Sequence, residues 1–159
     1  MSNRVIASLL IAGAVGSGLI GGLFFVFSNT LMKAFDGLPP AGAVASMQNI
    51  NVTILNPLFF LVFFGTAAIC VALLVMNLPR LGQPGAVLAC SGALVYLVGS
   101  IVVTMMLNVP LNNKLAAVSL TANDLAAQWQ AYRGPWTMWN HVRTVACALA
   151  VVAFAAALV

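Results

Sequence analysis

The sequence predicts an all-α integral membrane protein: an up-down bundle of four transmembrane helices, with a short interfacial helix between spans three and four. Three observations lead there. The 159 residues are 63% hydrophobic and only 5% charged, where a soluble domain carries about 25% charge. Six Lys/Arg and two Asp/Glu cannot coat a globule of this size, and a mean hydropathy of +1.10 implies that most of the surface meets lipid. The apolar residues also gather into four long runs, and a helix needs about 20 of them to cross roughly 30 Å of hydrocarbon. Helices are the open-chain solution, because lipid offers nothing to an unpaired N–H.

The length fits a single domain, residues 1–159. A water-soluble globule and a disordered chain are both excluded. Nucleic-acid binding goes with them: the pI of about 9.4 rests on scattered charges with no basic stripe to follow a phosphate backbone. The expected surroundings are a lipid bilayer, read as the inner (cell) membrane of a bacterium.

The first run, Val5–Ser28, follows Arg4 and contains Ala12-Gly13-Ala14, which resembles a signal-peptide cleavage site. Its apolar stretch continues to Phe27, too long for a signal core and right for a retained span. Ala14, Gly18 and Gly22 recur every four residues there, and Gly85, Ala89 and Ala93 do so in span three. Such stripes let neighbouring backbones approach closely. Pro39-Pro40 can open a helix through Met47-Gln48-Asn49, and Pro57 places a break after Asn56 before span two, Ile54–Met76. Asn77–Gly85, with Pro79, Gly82 and Pro84, reads as a tight hairpin into span three, Ala86–Leu107. Asn123 or Thr121 can cap the short helix Asp124–Tyr132, which Gly134 ends and Pro135 follows by starting span four. Met47-x-Asn49 with Thr53 and Met138-x-Asn140 with Thr144 share one spacing, a faint sign of an internal repeat. Cys70, Cys90 and Cys147 sit in apolar runs without a C-x-x-C spacing and read as small buried hydrophobes.

Span four is the informative one. Its uninterrupted apolar run, Val145–Val159, rises only about 22 Å at 1.5 Å per residue. To cross, the helix must recruit residues upstream, which draws Thr144, Arg143, His141 and Asn140 toward the membrane. Ionisable residues at that depth are functional candidates. Arg143 snorkelling to the headgroups is the competing account.

An up-down order puts the end of span one, the start of two, the end of three and the start of four on one face. That face collects Ser28-Asn29, Gln48, Asn49, Asn51, Asn56, Asn108, Asn112, Asn113, Trp136, Trp139, Asn140, His141 and Arg143. Ser100, Thr104 and Asn108 form one stripe on span three; Trp136, Asn140 and Arg143 or Thr144 form another on span four. Interhelical hydrogen bonding accounts for some of these residues. Their number favours a polar pocket. Phe24, Phe25, Phe27, Phe35, Phe59, Phe60, Trp129, Tyr132, Trp136 and Trp139 lie toward the same end, as the walls of a site for a flat aromatic arriving from lipid would, or as packing around long linkers.

The available chemistry is narrow. With one histidine and two carboxylates, Asp36 and Asp124, both in linkers, the chain by itself is not expected to assemble the three or four ligands of a metal centre, and no cofactor is expected. There is no nucleotide-binding glycine loop and no nucleophile with an evident base. His141 as base and Arg143 as a permanent cation suit proton abstraction from an acidic carbon and stabilisation of the oxyanion. For His141, a hydrogen bond at headgroup level is the alternative.

F-x-F-S-x-x-L-M (Phe25 to Met32), M-Q-x-I-N (Met47 to Asn51), N-V-P-L-N (Asn108 to Asn112) and W-x-x-W-N-x-x-R-T (Trp136 to Thr144) together resemble the anthrone oxygenase-like family, small four-helix integral membrane proteins mostly known as a domain of unknown function. The resemblance implies a four-helix membrane bundle and oxidation of an anthrone to an anthraquinone by O₂ without a bound metal or flavin. It carries substrate-binding roles to Gln48, Asn51, Asn108, Asn112, Trp136, Trp139 and Asn140, and a catalytic one to Arg143. His141 falls in a variable slot of that pattern, so its role as base comes from chemistry alone.

The leading expectation is therefore a cofactor-independent oxygenase acting on a hydrophobic, anthrone-like or quinol-like aromatic. The alternative is a non-enzymatic membrane subunit that holds a quinone or lipid. Small-solute transport is a third reading, in which four helices this short would need a homo-oligomer to enclose a path.

Overall fold

The computed structural model describes residues 3–159, and all of its regular structure is helical. Four stretches are long and apolar enough to cross a membrane: Arg4–Asp36, Pro57–Arg80, Pro84–Ala116 and Leu125–Ala156. The chain is an all-α integral membrane protein. Helix α1 (Asn3–Val26) passes through a wide π-helical turn, Phe27–Leu31, into α2 (Met32–Asp36). After the amphipathic-length helix α3 (Pro40–Thr53) come α4 (Pro57–Asn77), α5 (Pro84–Tyr96), α6 (Val109–Ala116) and α7 (Leu125–Ala156). Contacts run α1 to α4, α4 to α5, α5 to α7 and α7 back to α1, which closes a square bundle.

Sequence punctuation explains several boundaries. Pro40 takes the first position of α3, where its missing N–H costs nothing. Asn56 caps α4 by accepting the Phe59 N–H at 3.0 Å, and Pro57 follows. The turn between α4 and α5 is a single 3₁₀ turn, Leu78–Arg80, closed by an Arg80 guanidinium bond to Gln83 Oε1 at 3.0 Å.

The expected interfacial helix between spans three and four is not a separate element. It forms the first turns of α7, which runs unbroken through Gly134-Pro135. A proline clashes with the Cβ of the residue before it when that residue is helical. Gly134 has no Cβ and avoids that clash, which eases the passage of the helix through Pro135. The start of α7 also differs from expectation: Asp124, not Asn123 or Thr121, precedes the first turn, and its side chain accepts from Gln128 at 2.7 Å without capping a backbone N–H.

Span three also outruns its predicted end. Two π-helical stretches, Leu97–Val102 and Thr104–Asn108, lead into α6. Pro110 would clash with the carbonyl four residues back in a regular helix, and that residue, Met106, lies in the widened turn. Ser100, Thr104 and Asn108 lie in these widened stretches, Ser100 and Asn108 fully buried and Thr104 partly so. On a regular helix an every-fourth-residue stripe drifts by about 40° per step.

The close-packing stripe of span one differs from the predicted one. A Cβ at Gly22 would meet nothing within 4 Å, and one at Gly18 only Val151 at 3.9 Å. The tight positions are Gly16, where a Cβ would lie 2.0 Å from Thr66 Oγ1 of α4, and Gly21 and Gly13, where it would lie 2.8 Å from Cys147 Cβ and 3.1 Å from the Phe154 ring of α7. In span three Ala89 and Ala93 are buried as expected. The suggested internal repeat has no structural counterpart, since Met47 is buried and Asn49 exposed while Met138 is exposed and Asn140 buried.

Two apolar cores result. One fills the bundle around Phe63, Leu73, Tyr96, Ala150 and Phe154. The other ties the linker helices to α7 through Met32, Val44, Met47, Leu115, Trp129 and Tyr132. Part of the aromatic enrichment at this end is therefore linker packing, with Phe35 edge-on to Trp129. The three cysteines are free and buried, as expected.

Candidate functional site

Helix α7 carries the centre of the site. Trp136, Asn140 and Arg143 fall at i, i+4 and i+7, so they share its inward face. All three are buried, Arg143 to 5% exposure. The Arg143 guanidinium lies 4.0 Å above the Phe24 ring and 5.4 Å from that of Trp136. It donates to Thr104 Oγ1 at 3.1 Å and to Asn140 Oδ1. Its Nε has no hydrogen-bond partner.

No carboxylate neutralises this cation among the described residues. Asp36 is ion-paired with Arg133 and accepts from Trp129 Nε1 at 3.4 Å, while Asp124 accepts from Gln128. Cation–π contact with two rings offsets part of the desolvation, each being worth about 0.5–2 kcal/mol. The rest of the cost stands as an unmet demand for negative charge.

Hydrogen bonds fix which way the surrounding amides point. Asn140 spends its Nδ2 on the Phe24 carbonyl at 2.6 Å and on Ser28 Oγ, which leaves Oδ1 for Arg143. Gln48 gives Nε2 to the carbonyls of Leu115 at 2.8 Å and Val118 at 3.0 Å, at the end of α6. Its Oε1 is left as an acceptor. Asn112 Oδ1 accepts from both Trp136 Nε1 at 2.8 Å and Tyr132 Oη at 3.0 Å, so its Nδ2 is left to donate. Asn51 Nδ2 is buried without a partner.

These groups meet around one cavity of about 280 Å³. Gln48, Asn51, Asn112, Trp136, Asn140 and Arg143 all line it, with Phe24, Phe27, Phe59, Thr104 and Asn113. Six of the nine expected site residues are thus brought together. The other three are elsewhere. Asn108 lies behind the wall, 1% exposed, donating to the Trp136 carbonyl at 3.2 Å. Trp139 is partly exposed and outside the lining.

His141 is exposed on the outward side of α7, in a groove between α5 and α7 walled by Leu94, Val98, Val145 and Leu149. It does not face the cavity that holds Arg143. Two residues on one helix are separated by about 200° at 100° per residue, so the proposed base and the cation stand on opposite faces.

Sequence reasoning placed Phe24 among the aromatics at this end, Ser28 on the polar face and Thr104 in a polar stripe, and gave none of them an individual role in the site. Thr104 belonged to the visible stripe on span three, which was a usable signal. Phe24 takes part through its ring and its carbonyl, and a carbonyl leaves no mark in a sequence. The cavity sits level with the widened turns Phe27–Leu31 and Thr104–Asn108, and such turns recur at functional sites.

Among the described residues no three His, Cys, Asp or Glu side chains converge. The arrangement offers a cation and amide donors at one end, one amide acceptor in Gln48, and aromatic walls. It can bind a flat ring compound and stabilise negative charge on its oxygen. No curated protein and no solved structure matches the chain. A family described as anthrone oxygenase matches residues 59–153, which include α4, α5, α6 and most of α7 with Arg143. The chain belongs to the anthrone oxygenase family.

Proposed function

We propose that the cavity oxidises an anthrone-like or quinol-like aromatic with O₂, in the inner membrane of a bacterium, by proton abstraction and stabilisation of the resulting oxyanion, an enolate in the case of an anthrone. The observation that carries this reading is the buried Arg143, uncompensated by any carboxylate and aimed into an aromatic-walled hollow. For an anthrone the balance is simple. The CH₂ carbon loses a proton, the enolate passes electrons to O₂, and the carbon–oxygen bond forms. The hydroperoxide then loses water to leave the quinone carbonyl. Arg143 and the Asn112 and Asn51 amides lower the energy of the enolate oxygen, which makes the carbon more acidic.

The lining has no histidine or carboxylate. The proton therefore passes to water, for which the free Gln48 Oε1 is the acceptor on the lining. Asn108 acts through Trp136, and His141 has no direct part. Purified protein in lipid vesicles should consume O₂ with anthrone faster than empty vesicles, and Arg143→Ala should abolish the difference. Uptake equal to that of empty vesicles would refute the activity. The same lack of a side-chain base favours a second reading, a non-catalytic subunit holding a quinone, marked by binding without turnover and a stoichiometric protein partner.

A further inference from the structure

The rim of the cavity is made of two parts. On one side is the elbow between α3 and α4, where Val52 is 74% and Leu55 60% exposed; on the other are Asn113 and Ala116 of α6. The elbow does not stand in water-facing company. Leu58 and Leu61, each 70% exposed, follow at the start of α4, so Val52, Leu55, Leu58 and Leu61 leave an uncovered apolar stretch on both sides of the elbow. Helix α4 itself has 21 residues, a rise of about 32 Å, which matches the hydrocarbon thickness from Pro57 to Asn77. Its first turn is therefore at the hydrocarbon boundary, and an apolar stretch crossing that boundary is stable only with lipid against it.

We infer that the cavity opens sideways at the hydrocarbon boundary, through the gap between the α3–α4 elbow and α6, and that its hydrophobic aromatic ligand arrives from the lipid and not from water. This rests on the functional reading for the identity of the ligand, while the direction of the opening stands on the exposed residues alone. The two sides of the rim then divide the work: Val52 and Leu55 pass the ring system, and Asn113 meets the polar edge as it turns in.

Nitroxides attached at Val52→Cys and Leu55→Cys test the direction in reconstituted vesicles, because the native cysteines are buried. Both should relax with O₂, like a lipid-facing reference at Leu61→Cys, and resist a water-soluble nickel chelate, which should act on Ser119→Cys in the exposed linker. Nickel accessibility at Val52 and Leu55 equal to that at Ser119 would overturn the proposal. A second arm uses anthraquinone dissolved in the vesicles and follows quenching of tryptophan emission. Leu55→Phe should slow its association about tenfold with unchanged final occupancy, and an unaltered rate would count against the opening. Should anthraquinone fail to bind the unmutated protein, the functional reading fails, while the nitroxides still decide where the rim faces.

Discussion

Helix α7 separates two hollows, and they could hardly differ more. On its outward side, against α5, lies a groove of about 680 Å³ with His141 among leucine, valine, glycine and alanine. On its inward side lies a cavity of about 280 Å³ with Arg143, five amides of which Gln48, Asn112 and Asn140 are oriented by their own hydrogen bonds, and four aromatic rings. The larger space has one polar side chain and nothing to hold it; the smaller has a cation whose partners are already positioned. A site is defined by convergent, unsatisfied polar groups more than by size. Preorganised donors act on a developing charge without having to move.

The sharpest way to break this contrast is Arg143→Met, which keeps the volume and removes the charge. Oxidation of anthrone, read as O₂ uptake, should fall by about 10²–10³-fold, while the helical circular dichroism signal stays. Loss of less than about threefold would remove Arg143 from the chemistry. Asn140→Leu should come next, at about 10–10²-fold, because it frees Arg143 from its amide acceptor without removing it, and small misplacements of a charge are costly. Steady-state rates at saturating substrate would show it, with Arg143→Lys as a comparison that keeps charge but not the planar fork.

The groove side makes predictions of another kind. A Cβ at Gly99 would lie 2.3 Å from Ala146 Cβ, so Gly99→Ala should cost about 1–3 kcal/mol of stability by overpacking, visible as a lowered melting temperature in detergent. Gly22→Ala, where the space is open, should cost nothing. The smallest effect should come from His141→Ala. Anthrone oxidation should stay within about twofold, as for a surface substitution, and a loss as large as that of Arg143→Met would return histidine to the reaction.

How much of this the sequence disclosed depends on which physical constraint was at work. Hydrocarbon thickness is rigid, so the shortage of apolar residues before Val159 pointed to Asn140 and Arg143 as part of span four, and both are buried on the long apolar helix Leu125–Ala156. Helical spacing placed Trp136, Asn140 and Arg143 on one face. The same spacing puts His141 on another, and its appeal as a base obscured that geometry. Three features were not legible. The short helix runs on into α7 through Gly134-Pro135, a pair that ordinarily ends a helix. The close approach of α1 to α7 uses Gly13 and Gly21 and not the more regular Ala14, Gly18, Gly22 series. The role of Gln48 is set by the carbonyls of Leu115 and Val118, and no sequence pattern reports which end of an amide is already occupied.

The most direct measurement is the ionisation of bound anthrone without oxygen. Under anaerobic conditions its enolate has a distinct absorbance, and a titration in vesicles compares the protein with Arg143→Met and with empty lipid. A cation facing the enolate oxygen favours the charged form, so the midpoint should move to lower pH in the unmutated protein and return to the lipid value in the variant. A midpoint identical in all three would contradict the claim that Arg143 is held in the membrane to meet an oxyanion.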